Sequence, residues 1–526
     1  MGPVDLFDLI APYGTGEGPG HAAGVYRGGE LVAHASAGHA VIEHGIPIGM
    51  DTVFDIASAS KQFTAACLVL LRDDGVLSLD GDVRAHLPEL SLPAPVTLRQ
   101  CLSHTGGLRE YYSLCELAGV PVAGMDQKRL MRLLAGQADL NFAPGTGWSY
   151  SNTGFVLAAA AVERLTGRSL AKLAAERLFG PLGMRVTRFR DDLAVPVRGL
   201  ATGYTPAPGG WRRVDITEEV VGDGGIVTSV ADLAAWQRFM LTGAVLGAGV
   251  RDALLEPAML ADGRLLPYAL GLEITTVGGR RMYLHSGSIG GFRSALAYLI
   301  DDGVGIAVLA NRDDTFPAQI AVSVAERLVG VDAAVPPARV DQRAAVAAQP
   351  AVTGVWYCPE LDTHIAIDAA DDGTVTRVEG DLTYRYAAAS DGSWLGVERA
   401  TSLRLRPAGD ELWLEETVGD EPPDVYLRVG VPPAAASPAG TFYSEELGAY
   451  ATLAAAGSGP PGTAAVTIGL AGPRTVSPAS DGVWAGEGLT VRLLAGGAAL
   501  EISLYGARHC RLTRVDGPPP ARQRGL

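Results

Sequence analysis

Residues Val53-Phe54-Asp55-Ile56-Ala57-Ser58-Ala59-Ser60-Lys61-Gln62-Phe63 pass from an apolar, strand-like run, Val53 to Ile56, into the start of a helix. The apolar positions Phe63, Cys67, Leu70 and Leu71 form one helical face, and Gly75 ends it. Residues three apart share a side of a helix, so the Ser58 hydroxyl and the Lys61 amine can meet. A serine hydroxyl is a weak nucleophile until a neighbouring base takes its proton. A desolvated lysine can be that base, whereas arginine stays charged at any working pH. By itself S-x-x-K is a weak signal, and an N-capping serine beside a solvated lysine is the plainer reading. Composition sharpens it: Lys61, Lys128 and Lys172 are the lysines among 42 Lys and Arg, and the latter two fall on polar faces of predicted helices.

Two more motifs lie downstream. Tyr150-Ser151-Asn152 follows a Pro144-Gly145 turn and precedes a helical run, Phe155 to Leu165, which sets Tyr150 on a loop at a helix start. A phenol there can complete a proton relay with Ser58 and Lys61, and Asn152 can orient Lys61 or a substrate amide. Alone, the same residues read as a turn tyrosine beside a helix cap. His285-Ser286-Gly287 sits between a strand, Met282 to Leu284, and a Gly290-Gly291 turn. Gly287 would let a substrate backbone lie against the strand edge. The amides of Ser58 and Ser288 would then form an oxyanion hole. A surface histidine beside a glycine turn is the plainer alternative.

Around these motifs, Asp51 to about Val331 reads as an α/β segment, preceded by a hairpin of Ala22 to Val32 and Ala35 to Ile42. Pro336, Pro337 and Pro350 mark a linker without hydrophobic periodicity. Beyond it an internal repeat appears. Gly354-Val355-Trp356-Tyr357 recurs as Gly440-Thr441-Phe442-Tyr443, Asp391-Gly392-Ser393-Trp394 as Asp481-Gly482-Val483-Trp484, and Arg428-Val429 as Arg514-Val515. Each copy alternates short strands with Gly/Asp turns, and closure into two barrels would remove their exposed edges. The aromatic residues Trp356, Tyr357, Phe442 and Tyr443 are expected in the barrel cores. The expected division is a first domain at 1–333, a linker at 334–350, and β-barrels at 351–436 and 437–526. The second barrel would carry an inserted loop near 471–481, rich in Gly, Pro and Ser.

The order S-x-x-K, Y-x-N, H-x-G, with Leu102-Ser103-His104-Thr105-Gly106-Gly107-Leu108 and Asp223-Gly224-Gly225-Ile226-Val227-Thr228-Ser229, resembles the serine β-lactamase and penicillin-binding-protein superfamily in its class C and esterase-like branch. The resemblance covers about residues 20 to 331. With the two barrels, the chain is similar to bacterial D-stereospecific aminopeptidases. That resemblance implies an α/β (α+β) catalytic domain with an antiparallel sheet flanked by helices, then two antiparallel, lipocalin-like barrels. It implies a serine hydrolase that releases N-terminal D-amino acids, with Ser58 as nucleophile, Lys61 and Tyr150 as base and acid, and His285 on the oxyanion strand. Where β-lactamases carry Lys in a K-T-G triad that holds a substrate carboxylate, this chain has His285, and a mostly neutral imidazole weakens that role. An aminopeptidase must instead recognise an ammonium. Asp481 is the favoured carboxylate for it, although the matching Asp391 points to a turn role in both repeats. An esterase or amidase, a peptide-cyclising acyltransferase of thioesterase type, and a non-catalytic binding protein remain as alternatives.

The 526 residues are 48% hydrophobic, enough for several cores, and the formal net charge of -16 argues against nucleic-acid binding. Met1 to Ala11 lacks a basic region, and no apolar run approaches 18 residues, so a cytoplasmic protein without a membrane span is expected. Five scattered cysteines without a CxxC pair favour reduced thiols. His34, His39 and His44 share no helix or strand face, so neither metal nor cofactor is expected. Expected partners are a small peptide or amide and, for the chain itself, a homodimer.

Overall fold

The computed structural model describes residues 6, 8, 16–330, 340–358, 361, 363–379, 382–396, 403–416, 424–428, 439–456, 462–469, 472–480, 482–486, 488–494, 497–504 and 506–515. Two compact units are defined by its contacts. One comprises Met1–Leu108, Ala123–Met131 and Phe142–Ala334, the other Arg109–Val122, Arg132–Asn141 and Val335–Leu526. Two short stretches inside the expected 1–333 domain therefore pack with the barrels. Their residues carry no compositional mark of that choice.

The first unit is built on a six-stranded antiparallel sheet in the order Glu273–Val277, Arg280–Ile289, Phe292–Leu299, Val304–Ala310, His21–Arg27, Glu30–Ala37. The first strand in sequence pairs with the last, His21 opposite Ala310. Val304–Ala310 is buried along its whole length, as an apolar run covered on both faces should be. The N-terminal hairpin turns at Gly28-Gly29, several residues before the expected break. Both glycines hold positive φ, 56° and 87°, which a tight hairpin turn requires. Helices Val230–Thr242 and Pro317–Val329 pack on the sheet.

Helix Lys61–Asp73 was expected to bury one face, yet every residue from Lys61 to Val69 is buried, and Leu71 as well. A helix enclosed on all sides belongs to an interior. Phe63 stacks on Trp236 with ring centroids 4.1 Å apart, and Gln62 Oε1 accepts from Trp236 Nε1 at 2.8 Å and Tyr298 OH at 2.6 Å. Its polar side chains thus reach partners in place of water.

The second unit holds two closed barrels of eight antiparallel strands each, running from Gly354–Cys358 to Asp424–Arg428 and from Gly440–Ser444 to Ala507–Val515. Strand alternation divides the repeated aromatic pair. Trp356 and Phe442 point inward and are fully buried, while Tyr357 and Tyr443 are half-buried on the outer side, a correction to the expected core placement. Arg428 caps Trp356 and Arg514 caps Phe442, with guanidinium-to-ring distances of 4.2 and 4.9 Å. The duplicated sequence thus preserves a duplicated contact. The stretch expected as an inserted loop is instead largely a barrel strand, Arg474–Ser480, paired with Ala464–Ile468 and Val483–Gly486. Pro478 and the neighbouring serines hid its pattern; the register shifts between Pro478 and Ser480, where proline lacks a donor. Asp481 lies outside the described residues.

Candidate active site

The site lies within the first unit. Ser58 occupies a short 3-10 turn, Ala57–Ser60, that joins the strand Phe54–Asp55 to helix Lys61–Asp73. Lys61 is completely buried, and its Nζ lies 3.0 Å from Ser58 Oγ, 2.7 Å from Asn152 Oδ1 and 2.8 Å from the Asp223 carbonyl oxygen. The Tyr150 ring faces the same nitrogen with its centroid at 4.9 Å, and Phe155 at 5.4 Å. Three stretches of chain, 58–61, 150–155 and the one holding Asp223, therefore converge on one amine. Asn152 opens helix Asn152–Thr166, so the loop residue Tyr150 and the helix side chain arrive together.

His285 and Gly287 lie within one strand, Arg280–Ile289, which continues through the motif where a break after Leu284 was expected. Gly287 has a different reason to be glycine from the one its sequence suggested. A Cβ at 287 would overlap the Ile56 carbonyl oxygen and Ser294 Oγ, so the absent side chain makes room for the chain entering the Ser58 turn. Ser294 Oγ donates to that same carbonyl at 2.7 Å. Ser288, the expected second oxyanion donor, is exposed on the same strand.

His285 is buried, and burial followed by the charge of Lys61 lowers its pKa to about 3. Both ring nitrogens have partners. Nδ1 lies 2.6 Å from the Ser286 carbonyl, which can only accept, so Nδ1 carries the proton. Nε2 lies 3.2 Å from the Tyr268 hydroxyl, which is 3.0 Å from His104 Nε2. At the far end the Ser151 amide donates to His104 Nδ1 at 3.1 Å. With backbone groups fixing both ends, the bonds run in one sense: Ser151 N–H to His104, His104 Nε2–H to Tyr268, Tyr268 O–H to His285, His285 Nδ1–H to Ser286. An imidazolium at 285 would crowd two N–H donors and the phenol proton around one oxygen. His104 too is held well below the usual histidine range, by burial and then by Lys61.

Sequence reasoning singled out Ser58, Lys61, Tyr150, Asn152 and His285, and the structure brings these together. It did not assign Asp223, which acts through its backbone carbonyl, or His104; both stood in quoted motifs without a role. Tyr268 had no motif at all. The arrangement can perform acyl transfer: a hydroxyl, an amine in hydrogen-bond reach and a phenol ring against that amine.

The chain belongs to the Beta-lactamase family, whose model matches residues 6–329. Among curated relatives, a D-aminopeptidase of Gluconobacter oxydans is 34% identical over 300 residues, 56% of this chain and 56% of that protein. A D-aminopeptidase of Brucella ovis is 32% identical over 362 residues, 68% of this chain and 67% of that protein. The chain thus matches little more than half the length of the first of these. Among solved structures, the octameric penicillin-binding protein homologue from Pyrococcus abyssi shares the fold at 20% identity with a TM-score of 0.55, covering 77% of this chain and 95% of that one. Among the described residues no helix is long and apolar enough to cross a membrane.

Proposed function

We propose that this chain is a serine hydrolase that releases N-terminal D-amino acids from peptides, amides or esters through an acyl-enzyme on Ser58. The observation that carries this reading is Lys61, buried with its Nζ 3.0 Å from Ser58 Oγ. In its unprotonated form that amine accepts the hydroxyl proton as Oγ attacks the substrate carbonyl, while the Asn152 and Asp223 oxygens orient its two N–H groups. The amides of Ser58 and Ser288 receive the oxyanion. Tyr150 relays the proton to the departing amine. Water then attacks the ester by the reverse transfers and frees the amino acid and Ser58. A neutral His285 suits an ammonium-bearing substrate better than a carboxylate. The D-aminopeptidase relatives support the stereochemistry, with Asp481 as the carboxylate for the substrate ammonium. A lipocalin-like barrel pair, a cytoplasmic location and a homodimer complete the reading.

The test is hydrolysis of D-Ala and L-Ala p-nitroanilides by the wild type and Ser58→Ala. The expected result is D-selective turnover lost in Ser58→Ala. Equal rates in both proteins overturn the nucleophile, and an L preference overturns the stereochemistry. Sedimentation of the purified chain reads the dimer.

A further inference from the structure

Ala57, the residue before Ser58, holds φ at +47°. Residues other than Gly, Asn and Asp rarely adopt this left-handed conformation, and alanine has a Cβ but no polar side chain with which to stabilise it. Strain of this kind persists only where the surroundings over-determine it. Here both flanks are tied. On one side the Ile56 N–H donates to the Ile226 carbonyl at 2.9 Å, and the Ile56 carbonyl accepts from Ser294 Oγ at 2.7 Å above the space left by Gly287. On the other side the Lys61 N–H closes the 3-10 turn onto the Ser58 carbonyl. The chain must reverse at Ala57 to carry Ser58 from one anchor to the other.

The Ala57 N–H is held by the Asp55 carboxylate, whose Oδ1 accepts it at 2.8 Å in the two-residue loop characteristic of Asx turns. Asp55 is 3% exposed, an expensive place for a carboxylate. Among the described residues it makes no ion pair within 4 Å. A buried acid retained for one backbone hydrogen bond, two residues from the bend, points to work at the bend itself. We propose that Asp55 is a positioning residue: by bonding the Ala57 amide it holds the left-handed turn that aims Ser58 Oγ at Lys61 Nζ. It touches neither substrate nor the reacting atoms. Its effect passes wholly through the backbone of residue 57.

Glycine reaches positive φ without a Cβ penalty, so it should make the turn without help. The experiment compares full-length wild type, Asp55→Ala, Asp55→Asn, and Asp55→Ala combined with Ala57→Gly. Ser58 reactivity is read as the rate of inactivation by a fluorophosphonate, which requires an aimed serine but no particular peptide, and beside it as kcat on D-Ala p-nitroanilide. Asp55→Ala is expected to lower the inactivation rate at least thirtyfold with an unfolding midpoint no lower than that of the wild type. Asp55→Asn, which keeps an amide acceptor, should lose less. Adding Ala57→Gly should recover at least tenfold of the loss. A rate in Asp55→Ala within threefold of wild type, or no recovery from the added glycine, overturns the proposal. If Asp55→Ala fails to fold, Asp55→Asn with and without Ala57→Gly carries the same comparison, and absence of any gain from glycine overturns it equally. Should the fluorophosphonate results hold while no variant cleaves the anilide, the failure falls on the proposed D-aminopeptidase activity and leaves Asp55 in place.

Discussion

Lys61 shows why one basic residue cannot stand for another. Its amine is wedged between Ser58 Oγ, Asn152 Oδ1 and the Asp223 carbonyl, a space fitted to a compact nitrogen that can lose its proton. Lys61→Arg should therefore lower kcat by about a thousandfold, within the range lost with a general base. Steady-state kinetics beside a circular dichroism spectrum checks this, and retained activity above a tenth of wild type refutes it. Asp55 predicts a pH effect on stability. Burial pushes its pKa up to about 6 from the ordinary 3.8. The native state thus holds this proton more tightly than the unfolded chain, so the contribution is favourable at pH 4 and is lost as pH rises through about 6. At pH 7.5 the ionised group costs about 3 kcal/mol. Asp55→Asn should stabilise the protein by about that amount at pH 7.5 and barely at pH 4; urea midpoints at the two pH values decide, and an equal gain at both excludes the account. His285 has the opposite sign. Its pKa lies near 3, below the unfolded 6.5, so its stability is present above pH 6.5 and fades as pH falls toward 3.

At the scale of elements, the strand Arg280–Ile289 and the turn Ala57–Ser60 meet where a side chain would not fit. Gly287→Ala should push the Ile56 carbonyl off its Ser294 partner, costing about 1–3 kcal/mol and displacing Ser58. Its kcat should fall more than its KM rises, and a fully active variant with an unchanged unfolding midpoint would show that the strand can move aside. Much of this element level was legible in advance. Helix Lys61–Asp73 starts where Ser58-Ala59-Ser60-Lys61 placed it, and the i to i+3 spacing that put hydroxyl and amine together is local geometry. The strand Arg474–Ser480 was not legible, because Pro478 and the serines mimic a loop until neighbouring strands supply partners. Nor was the bond between Tyr268 and His104, which joins residues 164 positions apart.

For the molecule as a whole, the second unit takes in residues that the sequence order assigns elsewhere. Arg109 is buried, paired with Glu446 and 3.6 Å from Asp139, and its Nε donates to the Arg508 carbonyl at 3.0 Å. Removing one partner of a buried pair leaves a desolvated charge. Glu446→Ala should cost about 3 kcal/mol and lower the calorimetric unfolding midpoint by several degrees; a shift under one degree would mean that Asp139 and the carbonyls suffice. The sequence by itself determined the family, the turn that carries Ser58, the serine-lysine pair and the duplicated barrels, since each is written in short spacings or in a repeat that survives without knowledge of distant contacts. Only the tertiary structure decided that the Asp223 carbonyl holds Lys61, that Tyr268 orders two histidines, that Gly287 makes room for Ile56, and that residues 109–122 and 132–141 pack with the barrels. Those choices depend on backbone atoms and pairings far apart along the chain, where neither periodicity nor residue type carries a signal.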